Sequence, residues 1–189
     1  AAGRQIDKVI LSALLGTAKT GKTGSTSTSF AAGNEVDVSV GGASSKLNVA
    51  KLRELKRLMG RANIDFDVEE AYCVITADDH DSLLADIQVT SRDFNGGMPV
   101  LRDGKIMEYM GFKFILCQLA ETVLAGTNEA TLPAWVKSGM HLGIWGDVKH
   151  DISQRNDIQS LPWQLYTTLT CGATRLEENK VFAIESYRA

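Results

Sequence analysis

The stretch Gly16-Thr17-Ala18-Lys19-Thr20-Gly21-Lys22-Thr23 fits the pattern of a phosphate-binding loop, two glycines with four residues between them and then Lys-Thr. In such a loop, backbone N–H groups cradle phosphates, the lysine reaches the outer phosphates and the threonine holds magnesium. The nucleotide-binding set of a P-loop NTPase would then be Gly16, Gly21, Lys22 and Thr23, with Val74-Ile75-Thr76-Ala77-Asp78 as the apolar strand ending in an acid. The context argues the other way. The loop must leave a buried strand and enter a helix at Lys-Thr, because that helix N-terminus holds the phosphates. Here Lys22-Thr23 runs into Gly24-Ser25-Thr26-Ser27-Thr28-Ser29, poor helix formers throughout, and the segment before the motif reads as a helix. Whether Lys22-Thr23 opens a helix decides between the readings.

Asp78, Asp79, His80 and Asp81 form a dense polar cluster. Consecutive residues at a helix start point in different directions, so a solvated first turn matched to the helix dipole is expected rather than a metal site. His141 and His150 stand alone, and no Gly-x-Ser-x-Gly elbow occurs. Cys73, Cys117 and Cys171 are odd in number and far apart, each in an apolar, strand-like run. They read as buried free thiols. Trp135, Trp145 and Trp163 are too scattered for a base-stacking platform and read as core or subunit contacts. No catalytic residue, metal ligand or cofactor is assigned.

The elements that must carry these residues centre on Leu47–Gly111, and first on a helix expected over 48–62. Leu52, Leu55, Leu58, Met59 and Ala62 form one apolar stripe. Asn48 is the expected N-cap, and Leu47 with Leu52 can close a hydrophobic staple. Gly60 loosens the last turn. Lys51, Arg53, Lys56 and Arg57 fall mainly off the stripe and are candidate subunit-contact residues. Around this helix the sequence predicts a helix over Ile6–Leu15, a loop over Gly16–Gly33, and a half-buried strand over Glu35–Val40. A strand over Tyr72–Thr76, a helix over Asp78–Ile87 and a loop over Asp93–Asp103 follow. Ile106–Tyr109, a turn at Gly111 and Phe112–Leu116 read as a strand arriving through a turn. Gln118–Pro133 reads as an excursion, Val136–Trp145 and Trp163–Cys171 as apolar strands, and Thr174–Ile184 as a closing hairpin.

With 189 residues, 44% hydrophobic and 23% charged, the chain can bury a core as one domain or two small lobes. A net charge of −3 gives no global basic excess to attract nucleic acid. The charge is segregated, with six basic residues and one acid over 46–61, then nine acids and one basic residue over 62–94. Two solvated faces that meet each other or sister subunits are expected. No apolar run is long enough to cross a membrane, and no signal peptide is visible.

In order and spacing, these elements resemble the major capsid proteins of tailed bacteriophages, the Hong Kong 97-like fold. Leu47–Met59 resembles the long spine helix of the peripheral lobe. Ala71–Ile87, with Val74-Ile75 followed by Leu83-Leu84, resembles the strand and helix that open the axial lobe. Gly104-Lys105-Ile106 through Gly111-Phe112-Lys113-Phe114 is similar to the family's approach to the next strand. Gly172-Ala173-Thr174-Arg175 through Val181-Phe182-Ala183-Ile184 is similar to its closing peripheral hairpin. The resemblance implies an α+β fold with a peripheral-type lobe at 1–66, an axial-type lobe of mixed sheet plus helices at 67–160, and return strands at 161–189. It also implies a non-enzymatic virion subunit, made in the bacterial cytoplasm, that assembles through pentameric and hexameric rings into an icosahedral shell. Its partners would be copies of itself, a scaffold protein, and packaged DNA met at the inner surface without sequence recognition; no membrane is involved. The family's N-terminal arm and extended loop are short or absent before Leu47, so the chain is expected to be the C-terminal part of a longer coat protein. Nothing in the sequence assigns the Lys–Asn crosslink of some members.

Overall fold

The computed structural model describes residues 2–91, 101–102, 104–124, 126 and 128–188. Helix α1 (Ala2–Leu15) turns Leu11 and Leu14 inward. The following run, expected as loop, contains a hairpin in which β1 (Ala18–Thr20) pairs antiparallel with β2 (Thr26–Thr28). Its threonines are β-branched and favour strands. Gly21 and Gly24, at φ +85° and +64°, supply the left-handed backbone that the tight turn needs. Strand β3 covers only Glu35–Val36. The strand expected to reach Val40 stops because the Asp37 carboxylate accepts from the Ser39 N–H at 2.7 Å, a local turn that competes with ladder pairing.

Helix α2 (Val49–Arg61) is capped as expected, with Asn48 Oδ1 accepting from the Lys51 N–H at 2.9 Å. Leu47, Leu52, Leu55 and Met59 are all fully buried. Strand β4 (Ala71–Ile75) leads into α3 (Ala77–Ala85). The single helix expected through Ile87 breaks at Asp86, whose side chain accepts from the Gln88 N–H and starts a second short helix, α4 (Ile87–Thr90). The loop expected over Asp93–Asp103 lies outside the described residues, save for β5 (Leu101–Arg102), which pairs with β6 (Lys105–Ile106). Strand β7 (Glu108–Tyr109), a turn at Met110–Gly111 and β8 (Phe112–Leu116) follow in the expected manner.

After α5 (Leu119–Val123) comes β9 (Glu129–Val136), a strand where an excursion was expected. Pro133 argues against a central strand in sequence, but β4 pairs only with Ala134–Val136, so the proline lies beyond that ladder. The chain ends in β10 (Met140–Gln154), β11 (Trp163–Arg175) and β12 (Val181–Tyr187). The last two do not form the expected closing hairpin. Strand β11 pairs with β10, whereas β12 crosses to pair with β9 and β3.

One mixed sheet organises the body in the order β3-β12-β9-β4-β8-β7. Both of its faces are covered, which is why β4 and the Val181–Ile184 part of β12 read as apolar runs. Cys73, Ile75, Phe182 and Ile184 face Leu52, Leu55 and Met59 of α2 and Leu83 of α3 in one cluster. Val74 and Val181 point the other way, into a second cluster with Leu11 and Leu14 of α1 and Ala120 of α5. Strands β10 and β11 form a separate two-stranded ribbon, and α1 lies along it.

Candidate assembly surfaces

The nucleotide-loop residues are dispersed over a hairpin. Gly16 closes α1, its N–H donating to Ser12 O at 2.9 Å, while Gly21, Lys22 and Thr23 sit exposed at the β1–β2 tip. Lys22-Thr23 opens no helix; β2 follows within three residues. The phosphate-cradling geometry needs a helix N-terminus at that point, so the P-loop NTPase alternative is withdrawn. No helix among the described residues is long and apolar enough to cross a membrane.

The four basic residues of α2 part company. Arg53 and Arg57 are exposed, and Arg57 pairs with Glu54 one turn earlier. Lys56 turns back into its own chain, donating to Met110 O at 3.0 Å and lying over the Phe66 ring. Lys51 is fully buried; its ammonium donates to the carbonyls of Ser45 and Glu185, each at 2.6 Å. Burial pushes its pKa down to about 8 against the pull of Asp79 and Glu185. Lys51 lies four residues before Leu55 and eight before Met59, so it stands on the apolar stripe. That spacing was the available signal, and the expectation that Lys51 falls off the stripe as a candidate subunit contact is corrected.

The expectation of a solvated first turn in α3 holds for Asp78 and Asp81, which are exposed, and fails for Asp79, which is fully buried. Asp79 forms a capping box with Thr76, accepts from Ser186, and pairs with Arg188. Desolvation would raise its pKa, but the hydrogen bonds from Arg188, Ser186 and Thr76 win and hold it below the usual carboxylate range. Of the thiols, Cys73 is buried and pushed well up by desolvation; Cys117 and Cys171 are half-buried rather than buried, and all three are free. Trp135 stacks on Tyr72 at 5.9 Å, whereas Trp145 and Trp163 are 79% and 73% exposed.

Those two tryptophans lie on the ribbon. Two strands of 15 and 13 residues reach about 45 Å at strand rise. The base is fastened by Arg175, which the sequence places only in the run expected to form the closing hairpin. Its guanidinium donates to the α1 carbonyls of Ala13 and Leu14 at 3.3 and 3.0 Å, to Gly16 O, and to Thr28 O of the hairpin, and it pairs with Glu178. A buried cation at a helix C-terminus is favourably placed. It fixes α1, the hairpin and the ribbon as one unit.

Farther out the ribbon is exposed, at every position from 147 to 154 and from 163 to 167. Leu165, Thr167, Leu169 and Cys171 alternate on one face and line a groove against Ala2, Gln5 and Val9 of α1. The same face continues past the helix with Ile152, paired to Leu165, and with Trp163, paired to Gln154. Ile152 and Leu165 are 67% and 68% exposed. On the opposite face the Trp145 indole lies across Gly143 and Gly172, where added Cβ atoms would come within 3.3 Å or less of the ring. The glycine pair is a seat for the indole, and its outer side stays open to solvent. A two-stranded ribbon with both faces wet is marginal by itself.

The comparisons with known proteins agree with this architecture. The model of the phage capsid protein family matches residues 1–187. No curated protein matches the chain. Among solved structures, the capsid of cyanophage Pam1 superposes with a TM-score of 0.69 at 12% identity, covering 100% of this chain and 66% of that one. The capsid of cyanophage P-SCSP1u gives 0.62 at 14%, covering 100% and 62%, and a chain from Mycobacterium phage Che8 gives 0.57 at 16%, covering 71% and 46%. At such identities the likeness is one of fold, and this chain spans about half to two thirds of the length of those it matches. With a matching family model over nearly its whole length, a mixed α+β sheet and a projecting ribbon, the chain belongs to the phage capsid protein family.

Proposed function

We propose that the chain is a structural subunit of a bacteriophage shell, and that the β10–β11 ribbon is the surface by which it joins its neighbours. The observation that carries this reading is the ribbon, where Trp145, Ile152, Trp163 and Leu165 are each at least 67% exposed. Family membership and the capsid fold of the neighbours support the same role. Shell subunits act through repeated contacts, and large apolar faces serve that better than any single site. The role is non-enzymatic, and its place is the virion capsid. Arg53 and Arg57 remain candidate contacts; Lys51 and Lys56 serve the interior of the subunit.

We further infer two lobes with bounds other than 1–66 and 67–160. The ribbon, α1 and the β1–β2 hairpin, fastened by Arg175, make the peripheral-type unit. The six-stranded sheet with α2, α3 and α5 makes the axial-type unit. On this division α1, not α2, is the helix that runs along the peripheral strands. Scaffold protein and packaged DNA would meet the assembled inner wall.

Electron microscopy of the full-length protein carrying this chain tests the role. Closed, capsid-sized particles are expected. A protein that remains monomeric at every concentration and salt tried would remove the shell-subunit reading.

A further inference from the structure

The charge of this chain is segregated along the sequence. Residues 8–34 hold three lysines and no acid, whereas residues 62–91 hold eight acids and neither lysine nor arginine. Most of those acids are already matched. Glu69 pairs with Lys180, Glu70 with Lys113, Asp79 with Arg188, and Asp86 caps α4. Asp78 sits in the first turn of α3, where the dipole favours a carboxylate, and Asp81 lies one turn further along the same helix. Among the described residues Asp65 and Asp67 have neither an ion pair nor a place at a helix start; like Asp86, Asp65 accepts only a backbone N–H. Asp65 and Asp67 are exposed on one turn, which is held by the Asp67 N–H donating to Asp65 Oδ1 at 2.9 Å and by the Glu69 N–H donating to Asp65 O at 2.9 Å. Val68 beside them is 79% exposed.

The two lysines of the β1–β2 hairpin are the opposite case. Lys19 and Lys22 are exposed, and Lys19 donates only to the Ser27 hydroxyl, at 2.7 Å. Among the described residues neither lysine has an ion pair, and neither do Asp65 and Asp67. The hairpin is held in place, because Arg175 donates to Thr28 O at 3.4 Å and to Gly16 O, and Ala18 is buried. It is continuous with the ribbon base through the same arginine. Two cations therefore stand on one held element and two anions on another, all four exposed.

We propose that the β1–β2 hairpin docks on a second copy of this chain, with Lys19 and Lys22 against the Asp65–Val68 turn of the neighbour. This rests on the shell-subunit reading. Because the two surfaces differ, the contact is head-to-tail and propagates around a ring. Exposed ion pairs add little affinity, so the pair sets register and speeds encounter while the ribbon supplies the burial.

The test mixes nitrogen-14 and nitrogen-15 copies of the full-length protein, treats the assembly with a zero-length carbodiimide, and maps linked peptides by mass spectrometry. Isotopically mixed links from Lys19 or Lys22 to Asp65 or Asp67 are expected. In light scattering, Lys19→Glu with Lys22→Glu, or Asp65→Lys with Asp67→Lys, slows association roughly tenfold. Combining the two sets restores the rate. Unchanged far-ultraviolet circular dichroism shows that each variant is folded. Normal particles without mixed links at these positions would overturn the docking and leave the shell reading standing. No association of the unaltered protein would remove both. Retention of short duplex DNA that needs Lys19 and Lys22, with no such links, would assign the hairpin to phosphates instead and also overturn the proposal.

Discussion

Arg188, one residue past the end of β12, reaches into the first turn of α3, where its Nη1 lies 3.1 Å from Oδ1 of the fully buried Asp79. The pair ties the last strand to the helix over the opposite part of the chain. Removing one partner of a buried pair leaves the other charge uncompensated. Asp79→Ala should therefore destabilise by about 3–5 kcal/mol, read as a lowered urea midpoint. Asp79→Ala with Arg188→Met should cost less than the two single changes added together. A midpoint for Asp79→Ala equal to that of the unaltered protein would contradict the pairing.

Lys51 gives a pH dependence of unusual sign. Its folded pKa of about 8 lies below the 10.5 of a free lysine, so between those values the unfolded chain binds more protons than the folded one. Stability then rises with pH across that window, and the effect vanishes below pH 8, where both states are protonated. Lys51→Met should abolish the rise. The difference in unfolding free energy between the two proteins should move by about 3 kcal/mol in favour of the unaltered chain from pH 7 to the top of the window. Urea titrations at stepped pH measure it, and a difference that is flat with pH would refute it.

Leu55 lies beneath α2 with no exposed surface, against the β4 and β12 residues of the sheet. Leu55→Ala should cost about 2–5 kcal/mol, the range for truncating a packed leucine. Guanidinium denaturation gives the value directly. An unchanged midpoint would mean that α2 presents another face to the sheet.

The ribbon predicts a split between folding and assembly. Ile152→Thr, Trp163→Ser and Leu165→Thr should each leave the unfolding free energy of the subunit within about 0.5 kcal/mol, since the three side chains are exposed in the single chain. Combined, they should prevent particle formation in sedimentation velocity. A triple variant that assembles normally would place the subunit contact elsewhere.

The sequence disclosed the elements whose signals are local. The Asn48 cap, the Leu52–Leu55–Met59 stripe and the turn at Gly111 need only neighbours within a few residues, and each stands where its residues put it. What stayed hidden depends on distant partners. Lys51 is buried because the carbonyls of Ser45 and Glu185 receive it, and Asp79 because Arg188 does. Strand β9 was hidden by Pro133, and the partner of β12 could not be read from the tempting turn at 177–180. The ribbon was half visible, because its apolar alternation marked strands but not which of their faces would stay bare.

On the proposed role the outer ribbon, exposed in the single subunit, is covered in the shell. Hydroxyl-radical footprinting of the free full-length subunit and of purified particles tests it at Trp163 and Leu165. In the free subunit both should label readily, in keeping with their exposure of 73% and 68%. In particles their labelling should fall sharply, as expected for side chains at the desolvated centre of an interface. Equal labelling of Trp163 and Leu165 in subunit and particle would contradict the account.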